Sequence, residues 1–409
     1  MMDLSDFHVD IGPQYEGETV RKEDMYVEFG GPKVPHKFEL VTLKQVGEVE
    51  NESVKIIGPD IKEMEEGSSH PLAIMIEIAG EELEKDMEPV IERRVHMYCN
   101  NIEGFYHMNQ RNDIWLRLNK GSFKKGLDSL EEIGNMLIFL FTSELMAIEE
   151  ISVTFVTDPA KVQELLAHAL DIYAARDERA KGLKEDDVDE FYGCVLCQSF
   201  APTHVCVITP ERIANCGAIN WFDGRAAYKL DPEGPIFAVP KGECLDPVRG
   251  EYTGVNQNAI ERSLGEYDVV YLHSAFDRPH TSCGCFQSIC FYIPEVDAFG
   301  LVHRDFAGPT VIGEAFSRMA GTTSGGKQVE GSLGMALEYL RSPKFLQADG
   351  GMYRMVWLPK EIKERYKDAI PDDLYDKIAT EEDVSNADEL AEWLQNAGHP
   401  WVLGEVELP

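Results

Sequence analysis

Two cysteines flank a single glycine in "HTSCGCFQS", which places Cys283, Gly284 and Cys285 in succession. Disulfide geometry, with Cα atoms about 4.4–6.8 Å apart and a specific torsion, disfavours joining such near neighbours to each other. Zinc sites usually separate paired cysteines by two or more residues. If the backbone amides of Gly284 and Cys285 lose their protons, the stretch becomes a flat N2S2 chelate closed by small rings. Glycine suits the middle because the chain must bend tightly and a side chain would crowd the metal. Square-planar nitrogen and sulfur coordination is a preference of Ni(II) or Cu(II). The thiolates of such a chelate keep lone pairs and can bridge to a second metal. Two unliganded thiols in a tight turn are the ordinary alternative.

A second constellation lies upstream. "CVLCQSFAPTHVCVITPERIANCG" holds Cys194, Cys197, Cys206 and Cys216. Four thiolates in one compact segment can surround an iron–sulfur cube or a tetrahedral zinc ion. The paired spacing of zinc ribbons is absent, which favours iron–sulfur and leaves zinc and plain thiols open.

These residues need elements to hold them. The first 36 residues (1–36) are rich in glycine, proline and acids and read as an arm or irregular surface layer. From 37 to 185 the pattern is regular. "PLAIMIEIAG" is a near-continuous apolar run, as in a strand covered on both faces. A helical pattern follows, then the strand "IWLRL", the helix "FKKGLDSLEEIGNMLIFLFTSEL", the strand "ISVTFVTD" and a long helix opened by Pro159. This alternation predicts a three-layer α/β domain with a mostly parallel sheet. The charged stretch Arg176–Glu190 marks a boundary. From 186 to 409 the chain is dense in glycine, proline, cysteine and aromatics, and holds eight of the nine cysteines. A loop-rich α+β domain knit together by metal fits that composition.

With 409 residues, 44% hydrophobic and 27% charged, the chain has ordinary globular composition. A net charge of −35 argues against nucleic acid or an anionic membrane as partner. The most apolar run, "NMLIFLF", is far short of the roughly 20 residues that span a bilayer. The acidic, polar start does not read as a secretory signal, so a cytoplasmic location is expected. There, cysteines serve as ligands or buried thiols rather than disulfides.

Taken together, "CVLCQSFAPTHVC", "ITPERIANCGAINW" and "CGCFQSICFYIPEVDAFGLVHRDF" resemble acetyl-CoA synthase, the nickel family of carbon monoxide-dependent acetyl-CoA formation. The resemblance is to the archaeal β-subunit form of the acetyl-CoA decarbonylase/synthase complex, or to a shortened chain. On this resemblance the chain is expected to be without the amino-terminal domain that docks carbon monoxide dehydrogenase in bacterial members. It implies a [4Fe–4S] cluster on Cys194, Cys197, Cys206 and Cys216. Cys197 would bridge to a proximal nickel completed by Cys283 and Cys285. A second nickel would sit on Cys283, Gly284 and Cys285, where chemistry and family agree. The proximal position also accepts copper or zinc. Phe200 matches an aromatic that caps the proximal metal. The implied reaction joins or separates a corrinoid-borne methyl group, carbon monoxide and coenzyme A, with no acid–base dyad. The implied partners are a corrinoid iron–sulfur methyl donor and carbon monoxide dehydrogenase subunits. An iron–sulfur electron carrier or a nickel carrier without turnover is the alternative.

Coenzyme A carries phosphates, so arginine forks beside an aromatic are expected. Arg111, Trp115, Arg117 and Lys120 in "NQRNDIWLRLNK" are the candidates. Trp221 and Phe286 read as core that borders the metal cavity. His204 and His303 are candidates to orient the cluster. Gly-rich Gly321–Gln328 lacks phosphate-loop spacing and reads as a plain loop. Cys99, Cys244 and Cys290 fall outside the motifs and are expected to be buried thiols.

Overall fold

The structure, a computed structural model, describes residues 4–197 and 203–409. The chain divides into two compact units, Met1–Arg179 with Phe222–Gly234, and Ala180–Trp221 with Pro235–Pro409. Helices and strands alternate in the first and are shorter and more scattered in the second.

In the first unit, one sheet has the order Lys37–Leu43, Leu72–Ala79, Glu150–Val156, Ser53–Ile57. Side chains alternate across it. Ala73, Phe38 and Leu40 pack against the long helix Pro159–Glu178 through Val162, Ala169 and Tyr173. Ile74, Ile76 and Ile78 face the opposite layer, with Ile91 and Val95 of Glu88–Asn100 and Ile133 and Leu137 of Leu130–Glu144. That makes three layers. The long helix starts where expected, with Asp158 accepting from the amide of Lys161 and proline in the first turn.

Three expectations need correction. The sheet is mixed, because its two outer pairs are parallel and its central pair is antiparallel. An apolar run reports burial on both faces, and inner strands of either direction satisfy that equally. The helix expected from Phe123 to Leu145 is two helices, Lys120–Lys125 and Leu130–Glu144. Gly126, at φ 118°, ends the first, and the Ser129 hydroxyl caps the second. Finally, the segment read as an arm supplies the strand Met25–Gly30, paired between Ser68–His70 and Trp115–Asn119 in a second sheet. Val27 and Phe29 there are fully buried. The glycines and prolines around this short strand mask its pattern.

The second unit is built from short ladders, antiparallel except where Ala298–His303 runs parallel to Met355–Trp357. Cys206–Ile208, Glu190–Cys194 and Ile236–Pro240 form one. A four-stranded sheet has the order Ser332–Met335, Ser288–Ile293, Ala298–His303, Met355–Trp357. Its central hairpin pairs Ser288 with His303. These two ladders carry the cysteine motifs.

Glu185 is the buried hub of this unit. Its carboxylate accepts from Thr209 Oγ1 at 2.7 Å and Tyr252 OH at 2.7 Å, and lies 3.0 Å from His273 Nε2. Burial alone would raise its pKa, but His273 and the two hydroxyls outweigh that and bring it down to about 2.

Candidate metal centre

Strand pairing sets two members of the quartet opposite each other. Cys194 ends the strand Glu190–Cys194 and stands opposite Cys206, the first residue of its neighbour. The chain then turns at Leu196 and Cys197. Past Ile208 it folds back through a bridge between Thr209 and Arg212 and reaches Cys216 in a turn closed by Gly217 N–H to Ala214 O at 2.8 Å. Gly217 has φ 74°, and a Cβ there would strike the Gln287 amide at 2.1 Å. The Asn215 amide donates to Cys206 Sγ at 3.3 Å.

All four of these thiols are buried. Burial first, then the charges of Cys197, Cys206 and Cys216, hold the Cys194 thiol well above its ordinary value. Burial pushes Cys206 up to about 12, with the Asn215 amide opposing. Neighbours that sense one another's charge in a dry site need a cation if they are to ionise together.

The second motif occupies an irregular stretch just before Ser288. Cys197, Cys283 and Cys285 place their sulfurs within 4.8 Å of one another. This trio is the one such group among the described residues. Hydrogen bonding to Cys197 and to Cys285, then burial, holds the Cys283 thiol well above its usual range. The Cys285 amide donates to Cys283 Sγ at 3.3 Å, so a backbone nitrogen and a sulfur of the motif already lie within chelating reach. Gly284 has φ 130°. A Cβ there would make only ordinary contact with the protein's own atoms, 3.4 Å from Ser324 Cβ, so within the chain it is the backbone conformation that favours glycine. The donor set therefore fits a soft metal held by three sulfurs and a flat metal held by the Cys-Gly-Cys backbone. Gly284→Ala is expected to cost about 1–3 kcal/mol through the strained turn. Urea unfolding reads it, and an unchanged midpoint would show that the turn tolerates a side chain.

Several residues outside the motifs fasten the two segments together. His204 Nδ1 lies 2.9 Å from Thr281 Oγ1, and His280 Nε2 accepts from the Val207 amide at 3.0 Å. The Gln287 amide donates to Asn215 O at 3.3 Å. Burial keeps both histidines neutral, pushing His204 down to about 4 and His280 well below its ordinary range. The Gly-rich loop does more than connect. The amides of Gly325 and Gly326 donate to the carbonyls of Cys283 and Ser282 at 3.3 and 2.8 Å. Arg304 Nη2 donates to Gly284 O at 2.7 Å and to Phe286 O at 3.1 Å. Arg304 sits in the quoted "HRDF", but nothing in its spacing points to the turn.

The C-terminal family of the ACS/CODH beta subunit matches residues 173–405, and the family of the CO dehydrogenase/acetyl-CoA synthase complex beta subunit matches 7–162. The chain is 58% identical over 97% of its length to acetyl-CoA decarbonylase/synthase complex subunit beta 2 of Methanocaldococcus jannaschii, spanning 84% of that protein. It is 56% identical to the beta subunit of Archaeoglobus fulgidus over 98% of this chain and 77% of that one. For the Methanopyrus kandleri beta subunit the figures are 55%, 98% and 86%. The chain belongs to the beta-subunit family of the acetyl-CoA decarbonylase/synthase complex.

Within this member of the beta-subunit family the remaining expected residues divide sharply. Phe200 lies outside the described residues. His303 is buried, with Nε2 4.0 Å from Glu361 Oε2. Trp221 and Phe286 are buried, Trp221 donating to Glu190 O at 2.9 Å and Phe286 set edge-on to Phe316. Arg111 is buried in a bidentate pair with Asp177, at 2.7 and 2.9 Å. Arg117 Nε and Trp115 Nε1 both donate to Glu28 Oε2, at 2.8 and 2.7 Å, and the guanidinium stacks on the indole. Lys120 pairs with Glu66 at 2.8 Å. All three cations expected to await phosphate are held by carboxylates of their own unit. Cys99 and Cys290 are buried as expected, but Cys244 is exposed on a short edge strand, a correction. Among the described residues no helix is long and apolar enough to cross a membrane.

Proposed function

We propose that this chain is the acyl-transferring subunit of an acetyl-CoA decarbonylase/synthase complex, assembling or cleaving acetyl-CoA from a methyl group, carbon monoxide and coenzyme A. The observation that carries the reading is the gathering of Cys283 and Cys285 onto Cys197. A cube that only carried electrons would have no use for the second motif. Cys194, Cys197, Cys206 and Cys216 would hold a [4Fe–4S] cluster. Cys197, Cys283 and Cys285 would hold a proximal nickel, and Cys283, Gly284 and Cys285 a distal one. When bound, such an assembly supplies the carbon–carbon and carbon–sulfur bond-making that side chains alone cannot.

The protein's own part is ligation, shape and exclusion of water. Cys197 and Cys283 are buried while Cys285 is half-buried, so reactants would approach the trio from the Cys285 side. His204 and His280 are buried, neutral and spent on fastening the two segments, so their work is positional. Coenzyme A brings its own thiol, whose proton can pass to water. Phe200 is proposed as the cap on the resemblance alone. Phosphate binding by Arg117 and Trp115 would require displacing the buried Glu28, and by Arg111 breaking its bidentate pair with Asp177, so either contact with coenzyme A needs a carboxylate to give way. A corrinoid iron–sulfur protein as methyl donor, carbon monoxide dehydrogenase subunits as neighbours and a cytoplasmic setting complete the proposal.

Anaerobic reconstitution is expected to load about four irons and two nickels per chain, as a cube with a dinickel unit requires. The loaded protein is expected to exchange labelled carbon monoxide into acetyl-CoA. Iron without nickel, in protein offered Ni(II), would favour the electron carrier. Nickel without carbonyl exchange would favour the metal carrier.

A further inference from the structure

The hairpin register places a cation on the Cys-Gly-Cys turn. Because Ser288 pairs with His303, the residue after His303 lies beside the residues before Ser288. Arg304 uses its backbone amide to donate to Gln287 O at 3.1 Å. Its side chain then reaches back along the turn, with Nη2 2.7 Å from Gly284 O and 3.1 Å from Phe286 O. The guanidinium carbon lies 5.2 Å from the Phe316 ring centre and 5.9 Å from that of Phe286. No carboxylate pairs with Arg304 among the described residues, in a chain whose net charge is −35. Its charge is turned instead on two peptide carbonyls.

The identity of the first carbonyl matters. Gly284 O and the Cys285 nitrogen belong to one peptide group. In the chelate proposed above that nitrogen binds as an anion, its proton having passed to solvent, and amide resonance moves part of the negative charge onto Gly284 O. A fixed guanidinium at 2.7 Å meets that charge where it accumulates. We infer that Arg304 is a positioning residue of the nickel chelate, holding the Cys-Gly-Cys turn in shape and neutralising the amidate through Gly284 O. The inference rests on the proposed function, since it presupposes metal in the N2S2 position.

The test compares reconstituted wild-type protein with Arg304→Lys, Arg304→Gln and Arg304→Met. Each is challenged with excess chelator, and nickel and iron are counted while the visible absorption of planar Ni(II) is followed. Arg304→Met and Arg304→Gln are expected to lose planar nickel at least 10-fold faster than wild type with iron unchanged. Arg304→Lys, which keeps the charge, should recover most of the difference. Nickel held by Arg304→Gln as firmly as by wild type would overturn the inference, because charge would then be unnecessary. Loss of iron in step with nickel in all three variants would also overturn it, placing Arg304 as support for the whole region. If wild-type protein takes up no planar nickel, the proposed function itself fails, a separate result.

Discussion

Cys283→Ala is expected to abolish nickel uptake and carbonyl exchange while leaving the iron–sulfur absorption near the wild-type level. The sulfur it removes belongs both to the trio and to the Cys-Gly-Cys chelate, whereas the quartet is built on other residues. Only one sulfur atom is removed, so the void left in the buried site is small. Exchange should fall to background, at least about 1000-fold, since a missing ligand removes the reacting site rather than weakening it. Metal counting, absorption and exchange on one sample read all three effects. Simultaneous loss of iron and nickel would mean the two sites form as a unit. Retention of both nickels would remove Cys283 from the ligand set.

The second large effect concerns stability. Glu185→Gln is expected to destabilise the second unit by roughly 3 kcal/mol at pH 7, the free energy linked to its lowered carboxyl. A depressed carboxyl stabilises the fold above its unfolded value, near 4.3. That contribution is lost as pH falls through the folded value of about 2. The gap between wild type and Glu185→Gln in urea unfolding should therefore narrow between about pH 5 and pH 2. Glu185→Ala should be worse, because Thr209, Tyr252 and His273 would all lose a buried partner. A gap that does not vary with pH would show that the carboxylate charge is not what holds the hub.

The sequence set out the candidate metal residues and left most of their support hidden. Chelation is short-range chemistry, so the spacing of Cys283, Gly284 and Cys285 is enough to propose it. The strands Leu72–Ala79 and Glu150–Val156 are both legible in the sequence, yet their antiparallel pairing is not, because side-chain pattern carries burial and not direction. Arg304 is 20 positions from Gly284, and only the hairpin register between them reveals the contact. The Arg111 pair with Asp177, 66 positions away, is the opposite case. A fork suited to phosphate was already occupied by a partner that no local reading could supply. Gly325 and Gly326 looked like simple punctuation, and their work lies in two backbone amides that any residue type conceals.

The direct pairing of Cys194 with Cys206 has a further consequence for biogenesis. Side chains on a ladder alternate, so a one-position slip would set Cys206 against Gly193 and send its sulfur to the wrong side. Such a misthreaded ladder could not close around an inorganic core. Cofactor insertion would then act as a checkpoint, trapping only correctly threaded chains and leaving the others exposed to proteolysis.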